Sequence, residues 1–173
     1  MLKELSMLEL FFQDPTRSYS AREIARASGL SHVTVAKTLK KYSFIQRARH
    51  GPYSGYKTAI TPEFTRLRFI RNYLNIFDSG LIDHLLKAYN YPAVVLFGSF
   101  ATATQIPTSD IDLLLIAEKK ETIKLDGFED KLGHKIHLFI HTKKEIKKLE
   151  KSSPQLLNSW LNGIVLHGEL EIF

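Results

Sequence analysis

A chain of 173 residues, 44% hydrophobic and 24% charged, suits one or two small soluble domains with enough apolar residues for a real core. The absence of cysteine excludes disulfide frameworks, thiolate nucleophiles and cysteine-based zinc sites. The net charge of +6 is unevenly spread: residues 1–71 hold 13 Lys+Arg against 5 Asp+Glu, a net of +8, and residues 72–173 hold 11 against 13, a net of −2.

All eight arginines lie at or before Arg71. Such asymmetry points to a nucleic-acid-facing module joined to something else, the plain alternative being a solvated basic face. No apolar run approaches the roughly 20 residues a membrane helix needs. The first twelve residues carry Lys3, Glu4 and Glu9 and lack a small-residue cleavage pattern, so a cytoplasmic protein is expected.

Leu2, Leu5, Leu8 and Phe12 recur at helical spacing, and Asp14-Pro15 closes that helix. Ser20-Ala21-Arg22-Glu23 is a capping box, opening a short helix that should bury Ile24, Ala25 and Ala27 and stop at Gly29. Ser31 caps a third helix running to about Tyr42. One face of it carries Val35, Ala36, Leu39 and Tyr42, the other Thr34, Lys37, Thr38 and Lys41. Two strands, Ile45–His50 and Tyr56–Ile60, are expected around a turn at Gly51-Pro52-Tyr53-Ser54-Gly55, with Arg47, Arg49 and Lys57 on or beside the hairpin.

Two short helices joined by a Gly-containing turn, the second with a basic, hydroxyl-bearing face, form a helix-turn-helix pattern. With the hairpin, residues 1–61 resemble a winged-helix domain of bacterial and archaeal transcription regulators. That resemblance implies DNA as partner. The third helix would enter the major groove with His32, Thr34, Lys37, Thr38 and Lys41, and Arg47 and Arg49 would reach backbone or minor groove. Structured RNA would be served by the same charge, and winged helices also act as protein-docking modules. Thr61-Pro62-Glu63 opens a further helix over 62–78, lined by Phe64, Leu67, Ile70, Tyr73, Leu74 and Phe77, with Arg66, Arg68 and Arg71 on its other side. It reads as a connector, its stripe fitting either intrachain packing or a homodimer. Asp78-Ser79-Gly80 breaks it, and Leu81, Ile82, Leu85, Leu86 and Tyr89 line the next helix.

Ala93-Val94-Val95-Leu96-Phe97 reads as a buried strand running into Gly98-Ser99 and a short helix. Asp110-Ile111-Asp112 continues as Leu113-Leu114-Leu115-Ile116, a second strand. Residues i and i+2 share a strand face, so Asp110 and Asp112 project together, about 7 Å apart along the backbone. Two such carboxylates repel, and a divalent cation relieves the repulsion; oxygen ligands favour Mg²⁺ or Mn²⁺. Amides around Gly98-Ser99 can hold a nucleotide's terminal phosphates, helped by the Ser99 hydroxyl. Either motif alone is weak. Together, with ten residues between Ser99 and Asp110, they are the parts of a phosphoryl-transfer site.

The stretch Gly98-Ser99-Phe100-Ala101 through Ser109-Asp110-Ile111-Asp112 resembles the motif of minimal nucleotidyltransferases in the DNA polymerase β superfamily, over roughly residues 79–173. The resemblance implies a small mixed sheet flanked by helices, and transfer of a nucleoside monophosphate from an NTP, ATP above others, to a macromolecular acceptor. It places metal ligation on Asp110 and Asp112 and nucleotide binding on Gly98, Ser99 and Ser109. The third acid of the family falls on His137, within Lys135-Ile136-His137-Leu138-Phe139-Ile140. Histidine there either preserves catalysis in altered form, records its loss with nucleotide binding retained, or has no role; it is a poor Mg²⁺ ligand and an adequate Mn²⁺ one. Thr102-Ala103 is a second departure, since active relatives often carry Arg-Gly. Asp126, Glu129 and Asp130 read as a surface helix, and Trp160 with Leu156, Leu157 and Leu161 as core. Lys143, Lys144, Lys147, Lys148 and Lys151 read as a solvated face, and Ile164–Leu166 as a closing strand.

The expected chain is therefore α+β with two domains: a winged helix-turn-helix over 1–61, a connector over 62–78 and a nucleotidyltransferase-like domain over 79–173. Two functions remain open. One is a metal-dependent transferase whose acceptor is a nucleic acid or a protein, HEPN-type partners included. The other is a catalytically degenerate, nucleotide-sensing DNA-binding regulator or an antitoxin-like partner protein.

Overall fold

The computed structural model describes residues 2–118 and 123–170, with two compact units, one ending at Arg68 and one beginning at Phe69. The first unit opens with α1 (Leu2–Gln13), α2 (Ala21–Ser28) and α3 (His32–Leu39) and continues into the hairpin β1 (Ile45–His50) and β2 (Tyr53–Thr58). Met7, Leu8, Phe11 and Phe12 of α1 meet Ile24, Val35, Leu39, Phe44, Tyr56 and Phe64 in one core. The capping box at α2 forms as its spacing dictates. Ser20 Oγ accepts from the Glu23 amide, and Glu23 Oε2 accepts from the Ser20 amide at 2.8 Å. Ala27, expected in the core, is exposed.

Tyr19 and Tyr56 exchange backbone hydrogen bonds of 2.8 Å in each direction, adding a bridge to the outer edge of the hairpin. Gly55 permits this approach: a Cβ there would stand 2.8 Å from the Tyr19 carbonyl oxygen. The second strand starts at Tyr53 rather than Tyr56 and ends at Thr58 rather than Ile60. Gly51, with φ +58°, and Pro52 alone turn the chain, so Ser54 and Gly55 are released to pair with Arg49 and Ala48. Past Leu39 the third helix gives way to a tightened turn, Lys41 and Tyr42 donating to Thr38 and Leu39, as helix ends with unpaired carbonyls commonly do.

The fourth helix, α4 (Pro62–Asp78), contains the boundary between the units. Its polar side was expected to carry Arg68. Instead Arg68 is only 2% exposed, and its Nε donates to the Phe12 carbonyl at 2.7 Å, satisfying one of the acceptors left over at the end of α1. Burial lowers the Arg68 pKa to about 10.

The second unit adds α5 (Leu81–Ala88), β3 (Ala93–Phe97), α6 (Gly98–Thr102), β4 (Ile111–Ile116) and α7 (Asp126–Leu132). After them come β5 (Ile136–His141), α8 (Lys143–Ser152), α9 (Pro154–Leu161) and β6 (Ile164–His167). The sheet runs in the order β5-β4-β3-β6; β3 is antiparallel to both neighbours, and β4 and β5 are parallel. Strands buried on both faces read as continuous apolar runs, which is why Ala93–Phe97 and Ile111–Ile116 lack alternation. Val94, Leu96, Ile111, Leu113 and Leu115 pack with Leu81, Ile82 and Leu85 of α5. On the other face Val95, Phe97, Leu114 and Ile116 pack with Ile146 of α8 and Leu157 and Trp160 of α9. The five lysines of residues 143–151 are exposed, and no helix among the described residues is long and apolar enough to cross a membrane.

Candidate functional site

Three strands bring the expected residues of the second unit to one sheet end. Phe97, the last residue of β3, pairs with Asp112 of β4, which pairs in turn with His137 of β5. The imidazole spans the two carboxylates: Nδ1 lies 3.7 Å from Asp112 Oδ1 and Nε2 3.6 Å from Asp110 Oδ2. Parallel register explains this, since Asp112 and His137 occupy equivalent places one strand apart and Asp110 precedes Asp112 on the same face. Burial holds the Asp112 carboxyl above its usual range; a charge on His137 opposes that rise, and the Asp110 charge adds to it.

Gly98 opens α6 at φ +68°, a conformation that L side chains avoid, and a Cβ there would overlap the Asp112 carboxylate. Only glycine lets the start of α6 lie against that carboxylate. Ser99 follows on α6, half-buried. The Ser109 hydroxyl accepts from the Ile106 amide at 2.9 Å, so it closes the loop ahead of Asp110.

Two buried amide side chains hold these parts in place. Asn72 Nδ2 donates to the Phe100 carbonyl at 3.1 Å, and Gln105 Nε2 donates to Asn72 Oδ1 at 2.7 Å, both residues buried. They tie α4 to α6 and to the chain leaving it. Asn72 lies inside a helix pattern and Gln105 in the chain beyond α6, both places where a polar side chain is ordinarily solvated, and long-range packing buries them. His134 Nδ1 lies 2.8 Å from the Ser109 carbonyl, its ring edge-on to Phe100. The Thr102 hydroxyl bonds the carbonyls of Gly98 and Ser99 and the Thr104 hydroxyl.

The donor chemistry fits a single divalent cation on Asp110 and Asp112, two oxygen ligands on one strand face. His137 offers nitrogen in place of a third oxygen, and among the described residues no three ligating side chains group closely enough to hold an ion. Glu129 does not substitute for the missing acid, since its oxygens receive Lys135 Nζ and the Ile136 amide. His141 faces Trp160 and Glu145, so the three histidines of residues 134–141 do not converge.

In the first unit His32, Thr34 and Lys37 are exposed on α3, and Lys41 is exposed in the turn beyond it. Thr38 is not on that face: it is 8% exposed, beside Val35 and Leu39. At 100° per residue it falls three positions from Val35 and one from Leu39, on the flank of the buried stripe. The outward face is centred on Val33, Lys37 and Lys40, and the last of these escaped the sequence reading. Arg47 and Arg49 are exposed on β1, with the Arg47 guanidinium 4.6 Å from the Tyr56 ring centre.

No curated protein and no solved structure matches the chain. The family model described as Polymerase beta, Nucleotidyltransferase matches residues 81–171, more than half of its length and the whole of the carboxylate–imidazole cluster, and the chain belongs to that family.

Proposed function

We propose that the protein binds an NTP at the sheet end formed by Gly98, Ser99, Asp110, Asp112 and His137 and transfers its nucleoside monophosphate to a macromolecular acceptor. Family membership points to nucleotidyltransfer-like activity, and such domains generally use an NTP and a divalent metal. The carrying observation is the convergence of Asp110, Asp112 and His137 beside a glycine-opened helix start.

In this reading the amides at Gly98 and Ser99 and the Ser99 hydroxyl hold the nucleotide's phosphates. Asp110 and Asp112 would hold a divalent cation, Mg²⁺ or Mn²⁺, which neutralises phosphate charge when bound. His137 accepts the proton of the acceptor hydroxyl as that oxygen bonds the α-phosphorus. The bond to the β-phosphate oxygen breaks, and pyrophosphate leaves with that electron pair. Asn72 and Gln105 act by positioning α6. The first unit acts as a winged helix that delivers the chain to DNA through His32, Thr34, Lys37, Lys40 and Lys41 of α3 and its exit and Arg47 and Arg49 of the hairpin. Incubation with α-labelled NTP and cell extract tests the reading: label should pass to a macromolecule with wild type and not with Asp110→Asn.

A second reading has its own support. His137 stands across the carboxylates where the family carries a third acid, which favours a regulator that binds nucleotide without turnover, or an antitoxin-like protein acting on a HEPN-type partner. NTP binding without transfer in the same experiment identifies it.

A further inference from the structure

The outward face of α3 combines features that a merely solvated helix does not need. Val33 is 65% exposed, and Ala36 lies one turn on. Lys37 and Lys40 share their face, at i+4 and i+7 from Val33. These four residues, with His32, Ala21, Arg47 and Tyr56, line an open cleft of about 450 Å³. A β-branched side chain has only modest helix propensity and gains nothing from water, so neither helix formation nor the core accounts for Val33.

The surroundings indicate what Val33 meets. Its neighbours are cationic, in the half of the chain with a net charge of +8, which complements a polyanion and repels a basic protein surface. The cleft is flanked by long basic side chains, while Val33 and Ala36 are short and let the helix axis come close. In the DNA major groove the one apolar group at the base edges is the thymine 5-methyl. We infer that Val33, backed by Ala36, is a specificity determinant that reads a thymine methyl in the major groove, with Lys37, Lys40 and Arg47 supplying phosphate contacts. This rests on the proposed groove-binding role of the first unit.

The test uses the full chain. A site is selected from random duplexes, and each thymine is then replaced in turn by deoxyuridine, which removes only the methyl. At one or two positions deoxyuridine should weaken wild-type binding about fourfold, the effect of one methyl leaving a buried contact. Val33→Ala should bind the two versions of that site equally. Binding to a selected site with deoxyuridine tolerated everywhere overturns the inference and leaves the groove reading standing. Duplex binding with no enriched sequence also overturns it. Retention of structured RNA or an acidic protein in place of duplex DNA overturns both.

Discussion

His137 faces Asp112 across the parallel β4–β5 ladder, Nδ1 3.7 Å from Oδ1, while its Nε2 reaches within 3.6 Å of Asp110. One imidazole thus touches both carboxylates from a single backbone position. In the proposed mechanism His137 moves a proton and takes no part in phosphate binding. His137→Ala should slow nucleotidyl transfer about 100-fold, the lower end for loss of a general base, while NTP affinity stays within about threefold. His137→Asp should retain transfer, since a carboxylate at that place can accept the same proton. Single-turnover rates set against equilibrium binding separate the effects, and equal losses in rate and affinity for His137→Ala would contradict the role.

Gly98 tests the phosphate side of the same site. An alanine there takes on a positive φ and overlaps the Asp112 carboxylate. Gly98→Ala should lose about 1–2 kcal/mol of stability and abolish NTP binding. Ser99→Ala removes one hydroxyl and should weaken binding about fivefold, with no change in melting temperature. Thermal melts with and without NTP check both, and full NTP stabilisation of Gly98→Ala would rule out this phosphate cradle.

Glu23 sets an acid limit on the first unit. Its carboxyl lies below the usual range, held there mainly by the Ser20 amide and further by the Ser20 hydroxyl, His50 and Arg17. A depressed folded-state pKa means the stabilisation is present above the unfolded value, near 4.3, and is lost as pH falls through the folded one. Glu23→Gln should therefore cost about 1 kcal/mol at pH 7 and progressively less in acid, where the two proteins converge. A gap that stays constant to pH 3 would show that the charge plays no part.

Thr38 is buried, whereas Lys37 and Lys40 lie on the outward face proposed to meet DNA. Lys37→Ala with Lys40→Ala should reduce the salt dependence of DNA binding by about 1.8 in log–log slope, two phosphate contacts at about 0.9 each. Thr38→Val, at a buried position, should leave that slope unchanged. Electrophoretic shifts between 50 and 200 mM salt measure it, and an unaltered slope in the lysine pair removes α3 from the interface.

How far the sequence carried the reading follows from the range of the forces involved. Local signals were legible: the Ser20–Glu23 box, the stop at Asp78, the apolar strands around Gly98 and Asp110, and the face shared by Asp110 and Asp112. Where two residues compete for a boundary, periodicity was insufficient. Thr38 is polar yet lies on the edge of the buried stripe, and Tyr53–Gly55 has turn composition yet extends because Gly51-Pro52 already turns the chain. Partnerships distant in sequence left no local trace. Arg68 with the Phe12 carbonyl and Asn72 with Phe100 and Gln105 are polar residues in a helical pattern, and only the folded chain shows why they are buried. That His137 contacts Asp110 as well as Asp112 needed the strand register.

If Asp110 and Asp112 belong to a working nucleotide site, NTP binding needs both a divalent cation and the Asp110 carboxylate. Calorimetric titration of ATP and the other NTPs, with Mg²⁺ and then Mn²⁺, into wild type and Asp110→Asn tests it most directly. Wild type should bind in a metal-dependent way, and Asp110→Asn should lose that binding. Wild-type binding that is indifferent to metal and unchanged in Asp110→Asn, or no binding with either cation, would contradict it.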